Sequence, residues 1–136
     1  MDDRLILEAL AAWMHQHHIA TYTTGTVTAT TPPPVVFYRL PTTIDDAVAI
    51  RRTGIRFPTK LDAEVDLQIL IRAGTDRTAN RIAALLEDGL HGITYLPLNE
   101  HLQVSHISHD YTADLGLDQN NRAVRAVNVT AWLRRY

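Results

Sequence analysis

The feature that most constrains the fold is a strand pattern followed at once by a helix pattern. In residues 65–73 apolar side chains recur at every second position, which predicts a strand with one buried face. Gly74 then marks a turn into residues 76–89, whose apolar side chains recur as they do on one face of a helix. The two apolar sets are Val65, Leu67, Ile69 and Ile71 on the strand and Ala79, Ile82, Ala83, Leu86 and Leu90 on the helix. We expect this helix to pack across the sheet to which the strand belongs.

A first helix is predicted over residues 2–18. Asp2 and Asp3 suit its N-terminus, because a carboxylate there accepts backbone N–H groups and offsets the positive end of the helix dipole. Residues spaced three or four apart predict which face is buried. That stripe consists of Ile6, Ala9, Leu10, Trp13 and His17.

Runs of β-branched and apolar residues predict the remaining strands. Their expected ranges are 21–31, which is rich in threonine, and 35–40, 44–53, 93–98, 102–108 and 123–133. A short helix that begins after Asp45 is the alternative for 44–53. The run Pro32-Pro33-Pro34 predicts a rigid connector, residues 56–62 a loop and residues 111–122 a long hairpin connection. In the last strand, Val124, Ala126, Asn128, Thr130 and Trp132 share one face and Val127, Val129, Ala131 and Leu133 the other.

This order of elements predicts an α+β fold, an antiparallel β-sheet packed against two helices, in one domain that spans residues 1–136. The chain has no cysteine, which excludes a disulfide scaffold and a thiolate metal site. A formal charge of −2 argues against binding nucleic acid through the overall field. No apolar run approaches the ~20 residues of a membrane span, and the acidic start Met1-Asp2-Asp3 is unlike a signal peptide. We expect a soluble protein made in a cytoplasm.

Histidines are the obvious candidates for catalysis or metal binding. A site with two histidines and one carboxylate requires its side chains to converge. In an extended chain His106 and His109 face opposite sides, so His101, His106, His109 and Asp110 converge only if a bulge intervenes. We expect no metal here, and a metal-dependent enzyme that uses these four residues stays as the alternative.

Other constellations are weaker still. Asp114, Asp118 and Asn120 superficially resemble a calcium loop, but the segment lacks the terminal glutamate and the flanking helices of an EF-hand. The chain also lacks a Gly-x-Ser-x-Gly nucleophile motif and a glycine-rich phosphate loop. The prediction is therefore a protein with no catalytic residue, no metal and no cofactor.

The order of several short motifs resembles a known family over residues 35–136. The central motif is DLQILIRAG at 66–74, followed by an alanine-rich helix that ends at Leu90-His91-Gly92. Upstream lie FYRLP at 37–41 and DAVAI at 46–50, and downstream LGLD at 115–118, Asn121-Arg122 and Asn128-Val129. Taken in order, these motifs are similar to the minor capsid, or tail terminator, proteins of long-tailed bacteriophages.

The resemblance implies a structural virion protein, with six copies forming a ring at the head-proximal end of the tail tube. Such a ring stops polymerisation of the tube and provides the surface to which the head attaches. The implied partners are other copies of the chain, the major tail tube protein and a head-completion or neck protein. DNA would pass through the lumen without specific binding, and assembly would take place in the host cytoplasm. Another neck or head-completion protein of the same particle is the alternative.

A closed ring joins one patch of each subunit to a different patch on its neighbour. The C-terminal third has the necessary charge polarity, because its acidic residues come first and are followed by a stretch whose charged residues are all basic. We predict a subunit interface at Asp110, Asp114, Asp118, Arg122, Arg125 and Arg134, with an ordinary solvated hairpin as the alternative.

Exposed sheet edges are hazardous in a monomer but useful when a neighbouring copy adds a strand. The threonine-rich strand and the final strand are the expected edges. Arg77 and Arg81 are expected to face either the lumen or solvent.

Overall fold

Two helices and six strands follow one another in the computed structural model, which describes residues 2–135. The elements are α1 (Arg4–Gln16), β1 (Val35–Phe37), β2 (Ala47–Arg56), β3 (Asp62–Ala73), α2 (Asp76–Leu90), β4 (Leu96–Pro97), β5 (Leu102–Leu117) and β6 (Ala123–Arg135). All six strands belong to one sheet, in the order β1-β2-β3-β6-β5-β4. Every pair is antiparallel except β1 with β2, which is parallel. The predicted α+β class is confirmed.

Strand β3 and helix α2, whose sequence patterns most constrain the fold, form the centre of the core. The predicted apolar face of β3 is buried, and so are all five residues predicted on α2. The Thr75 side chain caps α2 by accepting the backbone N–H of Thr78 at 3.2 Å. Both helices pack on the same face of the sheet, since their buried residues share one cluster with that face of β3. We call this the helix face and the opposite side the open face.

Helix α1 buries Ile6 and Leu10 as predicted, but the rest of its buried stripe differs from the predicted one. Its buried residues are Ile6, Leu7, Leu10, Ala11 and Met14. The predicted His17 is exposed, Trp13 is only partly buried, and the helix ends at Gln16 rather than residue 18. The helix turns a different face to the sheet than predicted, because Leu7 and Met14 bring more apolar area into the core than Ala9 and His17 would.

The predicted strand at 21–31 is wrong. Within this segment only Thr21 pairs, in an isolated bridge to Pro34. In the part of the chain that the structure describes, no strand pairs with residues 22–31, so β-branched side chains alone do not make this segment part of a ladder. The hydroxyl groups of Thr21 and Thr30 instead donate to the carbonyl of Pro32, at 2.7 and 2.8 Å.

The other strand bounds shift towards longer central strands and shorter edge strands. Strand β2 starts later than predicted, and the helical alternative for this segment is wrong. The predicted loop at 56–62 shrinks to 57–61, and the predicted strand at 93–98 is only Leu96–Pro97. Strand β5 continues through the predicted connection to Leu117, because the long neighbour β6 offers it a ladder and three register shifts absorb the irregular residues.

The final strand is not an edge, which corrects the sequence expectation. Strand β6 lies between β3 and β5. Its apolar face is as predicted: Val127, Val129, Ala131 and Leu133 are buried on the helix face. Among residues 2–135 no helix is long and apolar enough to cross a membrane.

Candidate assembly surfaces

The six residues predicted to form an interface lie on β5, on β6 and in the turn between them. Arg122 is anchored in this turn, with its side chain only 11% exposed. Its Nε donates to Asp118 Oδ2 at 2.8 Å, and one Nη1 hydrogen donates to the Thr42 carbonyl at 3.3 Å. Asp118 also accepts the backbone N–H groups of Arg122 and Asn120, each at 2.9 Å. The Arg122 backbone bond is the main reason why the pKa of Asp118 lies below its usual range.

Arg125 joins three elements on the helix face. Its Nη2 lies 2.7 Å from Asp76 of α2, its Nη1 3.0 Å from Asp114 of β5, and its Nε donates to Asn80 at 3.2 Å. The Arg125 side chain is 8% exposed, whereas Asp76 and Asp114 are 68% and 67% exposed. The two carboxylates therefore compensate a buried guanidinium while they keep most of their own hydration.

Asp110 and Arg134 are more open to solvent. Asp110 Oδ2 accepts a hydrogen bond from the Thr130 hydroxyl at 2.7 Å, on the open face. Arg134 is 63% exposed and lies 3.9 Å from Asp62. The structure thus gives Arg122 and Arg125 intrachain partners, and the interface role of the six residues stays a prediction.

Strand β5 has an outer edge that is paired only at its start. Strand β4 pairs with Gln103 and Val104, and the segment before β4 exchanges backbone bonds with Ile107. The N–H of His109 donates to the His91 ring at 3.1 Å. Beyond this point no strand of residues 2–135 pairs with residues 110–117 on the side away from β6. We call residues 110–117 the acidic edge, because its charged residues are Asp110 and Asp114.

Strand β2 has a corresponding free stretch at the other side of the sheet. Strand β1 pairs only with Val48, Ala49 and Ile50. In the described chain no strand pairs with residues 51–56 on the side away from β3. We call residues 51–56 the basic edge, because it holds three arginines and no acid. The sheet is therefore open at both sides, with opposite charge on the two edges.

The three arginines of the basic edge differ in their contacts. Arg51 donates to Gln68 at 2.6 and 2.9 Å, on the open face. Arg56 lies 2.6 Å from Asp66 and 3.1 Å from Glu64, and these bonds raise the pKa of Arg56 and lower that of Asp66. Arg52 makes no hydrogen bond or ion pair with any residue of the described chain.

The basic edge was not predicted from the sequence. Arg51 and Arg52 fall within the predicted strand at 44–53, and consecutive arginines on a strand project to opposite faces. Both faces of a strand can carry charge only where the strand lies outside the core. The Arg51-Arg52 doublet was therefore the signal in the sequence that this part of the strand is exposed. Arg77 and Arg81 are exposed on α2.

The histidines do not converge. His106 packs on Trp132 with ring centroids 5.2 Å apart, on the open face, whereas His109 lies opposite Val129 on the helix face. The expectation that these two histidines face opposite sides is confirmed. His109 Nε2 lies 2.8 Å from the Thr112 hydroxyl, which donates to a carboxylate of α2. No group of three metal-ligating side chains occurs among residues 2–135.

A groove of about 490 Å³ lies where the β2–β3 loop meets the ends of β5 and β6. Its apolar walls include Phe57, Leu61, Leu102 and Leu133, and its lining contains no histidine, serine or cysteine. The lining also includes Thr59, Lys60 and Asp62, and the Thr59 hydroxyl donates to Asp62 at 3.0 Å.

Comparisons with known proteins identify one family model and two solved structures with a similar fold. A family model described as bacteriophage tail terminator protein matches residues 13–134. The fold is similar to that of a chain in a structure of the virion of a native gene transfer agent (GTA) particle, with a TM-score of 0.56 and 15% identity over 74% of this chain and 78% of that one. A second solved structure, which carries no description of function, aligns with a TM-score of 0.55 and 14% identity over 100% of this chain and 96% of that one. No curated protein matches the chain.

Proposed function

The chain belongs to the bacteriophage tail terminator proteins, and from this membership we propose that six copies form a ring that closes the head-proximal end of the tail tube. The family makes the chain a structural component of the phage tail. The proposal adds that the ring halts polymerisation of the tube and then presents the surface to which the filled head attaches. Its partners are the major tail tube protein on one side and a head-completion or neck protein on the other.

The observation that carries the ring is the pair of free edges on one sheet. A monomer with an unpaired strand at each side exposes two rows of backbone N–H and C=O groups, which favours addition of further strands. Because the two edges differ in charge, each copy offers two different patches. Contacts between different patches generate a ring when the rotation from copy to copy closes.

The proposal also assigns a lumen through which DNA passes. A formal charge of −2 gives no general attraction to phosphates, which suits passage without specific binding. Assembly on the tube would take place in the host cytoplasm, before the head joins. The finished particle would carry the ring between head and tail.

Negative-stain electron microscopy of concentrated protein mixed with cognate tail tubes tests this function. We expect a cap at one end of each tube, six-fold in end-on views, and tubes that stop growing when further tube protein is added. The matched control is heat-unfolded protein at the same concentration. Tubes that stay uncapped and keep growing would contradict the proposal, and binding to heads instead of tubes would favour the alternative neck protein.

A further inference from the structure

We propose that neighbouring copies in the ring join by pairing the acidic edge of one sheet antiparallel to the basic edge of the next, with Asp114 opposite Arg52 and Asp110 opposite Arg56. This inference rests on the proposed ring and names the contact that builds it. Its partner is a second copy of this chain, and its recognition combines a backbone ladder with two charge pairs.

Strand direction permits this pairing. Each of the pairs β2–β3, β3–β6 and β6–β5 is antiparallel, so β5 runs opposite to β2 within one subunit. Rotation about a ring axis parallel to the strands leaves strand directions unchanged. Strand β5 of one copy therefore meets β2 of the next copy in antiparallel orientation, as a ladder of alternating close and wide hydrogen-bonded pairs requires.

The spacing of the charges fits one register. Arg52 and Arg56 lie four residues apart on the basic edge, and Asp110 and Asp114 lie four residues apart on the acidic edge. In an antiparallel ladder, placing Arg52 opposite Asp114 therefore places Arg56 opposite Asp110. A single register satisfies both charge pairs.

The faces of the sheet also match at both positions. Arg52 lies opposite Leu67 and Asp114 opposite Arg125, which places both on the helix face. Arg56 contacts Asp66 and Asp110 contacts Thr130, which places both on the open face.

This change of face arises from a register shift in each edge, between Arg52 and Gly54 in β2 and between His109 and Tyr111 in β5. Each charge would meet its partner on the same side of the sheet. Between the two pairs the ladder would need an irregularity, because Gly54 and Ile55 stand opposite Thr112 and Tyr111, which lie on the other face.

The charge distribution selects this pairing over the alternatives. Two basic edges facing each other would oppose arginines, and two acidic edges would oppose aspartates, both of which are unfavourable across strands. Arg52 has no partner in the described chain, and Asp114 is 67% exposed and meets Arg125 through its Oδ1, so Arg52 would be a second partner of that carboxylate. Charge thus directs head-to-tail contacts, which build rings, over symmetric dimers.

Cysteine crosslinking tests the register directly, because the chain has no cysteine of its own. Residues directly opposite each other across strands have Cβ atoms about 4.5–5.5 Å apart, within reach of a disulfide after small adjustment. The test variant combines Arg52→Cys with Asp114→Cys, and the control combines Arg52→Cys with Asp88→Cys on the exposed side of α2. Each is mixed with tail tubes, oxidised, and analysed by non-reducing electrophoresis beside electron micrographs of the same sample.

We expect a ladder of covalent species up to the hexamer for the test variant and none for the control. Caps on the tubes without a ladder would overturn the edge pairing and leave the capping function intact. A ladder without caps would support the edge pairing and contradict the capping function. Wild-type protein that forms neither rings nor caps would overturn both.

Charge reversal provides a second measurement that does not need a disulfide. Arg52→Asp and Arg52→Glu should each abolish caps, because either change places an acid opposite Asp114; Asp114 itself is kept because it also compensates Arg125. Thermal unfolding of each variant verifies that the subunit itself is intact. Single variants that are folded and cap tubes as well as wild type would overturn the proposed pairing.

Discussion

Gly89 of α2 lies directly against the indole ring of Trp13 on α1. A Cβ atom built on Gly89 would stand 2.6 Å from Cη2 and 3.1 Å from Cζ2 of Trp13, closer than side chains pack in proteins. Trp13 is itself held by stacking on His17, with ring centroids 4.5 Å apart. The two helices therefore come together at the position where α2 has no side chain.

Replacing Gly89 with alanine should destabilise the protein. In an isolated helix this change stabilises by about 1 kcal/mol. Here we expect a net loss of about 1 kcal/mol in the free energy of unfolding, because the methyl group overpacks the contact with Trp13. Urea denaturation measures the difference. In a protein that also carries Trp13→Leu, the change from Gly89 to alanine should stabilise relative to Trp13→Leu alone, because the indole ring is gone. A G89A protein more stable than wild type would refute the close contact.

Replacing Arg125 with an apolar residue should lower the free energy of unfolding less than removing the charges of its two acidic partners. In Arg125→Met the released Asp76 and Asp114 are already largely hydrated, so we expect a cost of about 1 kcal/mol or less. The variant D76N/D114N leaves a buried guanidinium without a counter-charge, and we expect it to cost about 3 kcal/mol. Chemical denaturation at one ionic strength compares them. The reverse order of stability would contradict this reading of the site.

Stability should fall in acid partly through Asp118. Its pKa is lowered in the folded protein, so its contribution is complete above the unfolded value, about pH 4, and is lost as the pH falls through the lower folded value. Asp118→Asn should therefore be less stable than wild type at neutral pH, and the difference should shrink as the pH falls below about 4. Asp88→Asn serves as a control for removing an exposed acid. A constant difference between wild type and D118N across this pH range would exclude the mechanism.

Arg72 should hold the loop before β2 in place. Its guanidinium donates to the backbone carbonyls of Pro41, Ile44 and Asp45, and its side chain is buried beneath them. In Arg72→Met we expect amide hydrogens of residues 42–46 to exchange with solvent at least about tenfold faster, which corresponds to a loss of about 1.4 kcal/mol in local stability. Amides of α2 should be unchanged. Uniform acceleration across the chain would indicate a global rather than a local effect.

Metal removal should leave the protein unchanged. We expect chelator-treated protein to unfold at the same temperature as untreated protein and to contain no stoichiometric zinc, iron or manganese by elemental analysis. His106 and His109 face opposite sides of the sheet, so they cannot share an ion. A stoichiometric metal, with a lower unfolding temperature after chelation, would revive the enzyme hypothesis.

Features that depend on neighbours within a few residues could be predicted from the sequence. The buried faces of β3 and α2 follow from periodicity, since each residue's side is set by its own position in the repeat. The opposite facing of His106 and His109 follows in the same way. Helix α1 shows the limit, because Leu7 and Met14 compete with Ala9 and Trp13 for the core and only packing against the sheet decides between them.

The assembly surfaces required the tertiary structure. Periodicity along residues 110–117 or 51–56 predicts alternating sides, but it does not locate the register shifts in these strands or say whether another strand lies beside them. That depends on the order β1-β2-β3-β6-β5-β4, which places the last strand in the centre and leaves parts of β2 and β5 unpaired. The sequence alone determined α2, the central strands β3 and β6 with their buried faces, and the family resemblance. Only the folded chain decided which edges are free, because strand pairing joins segments far apart in sequence and local periodicity carries no record of it.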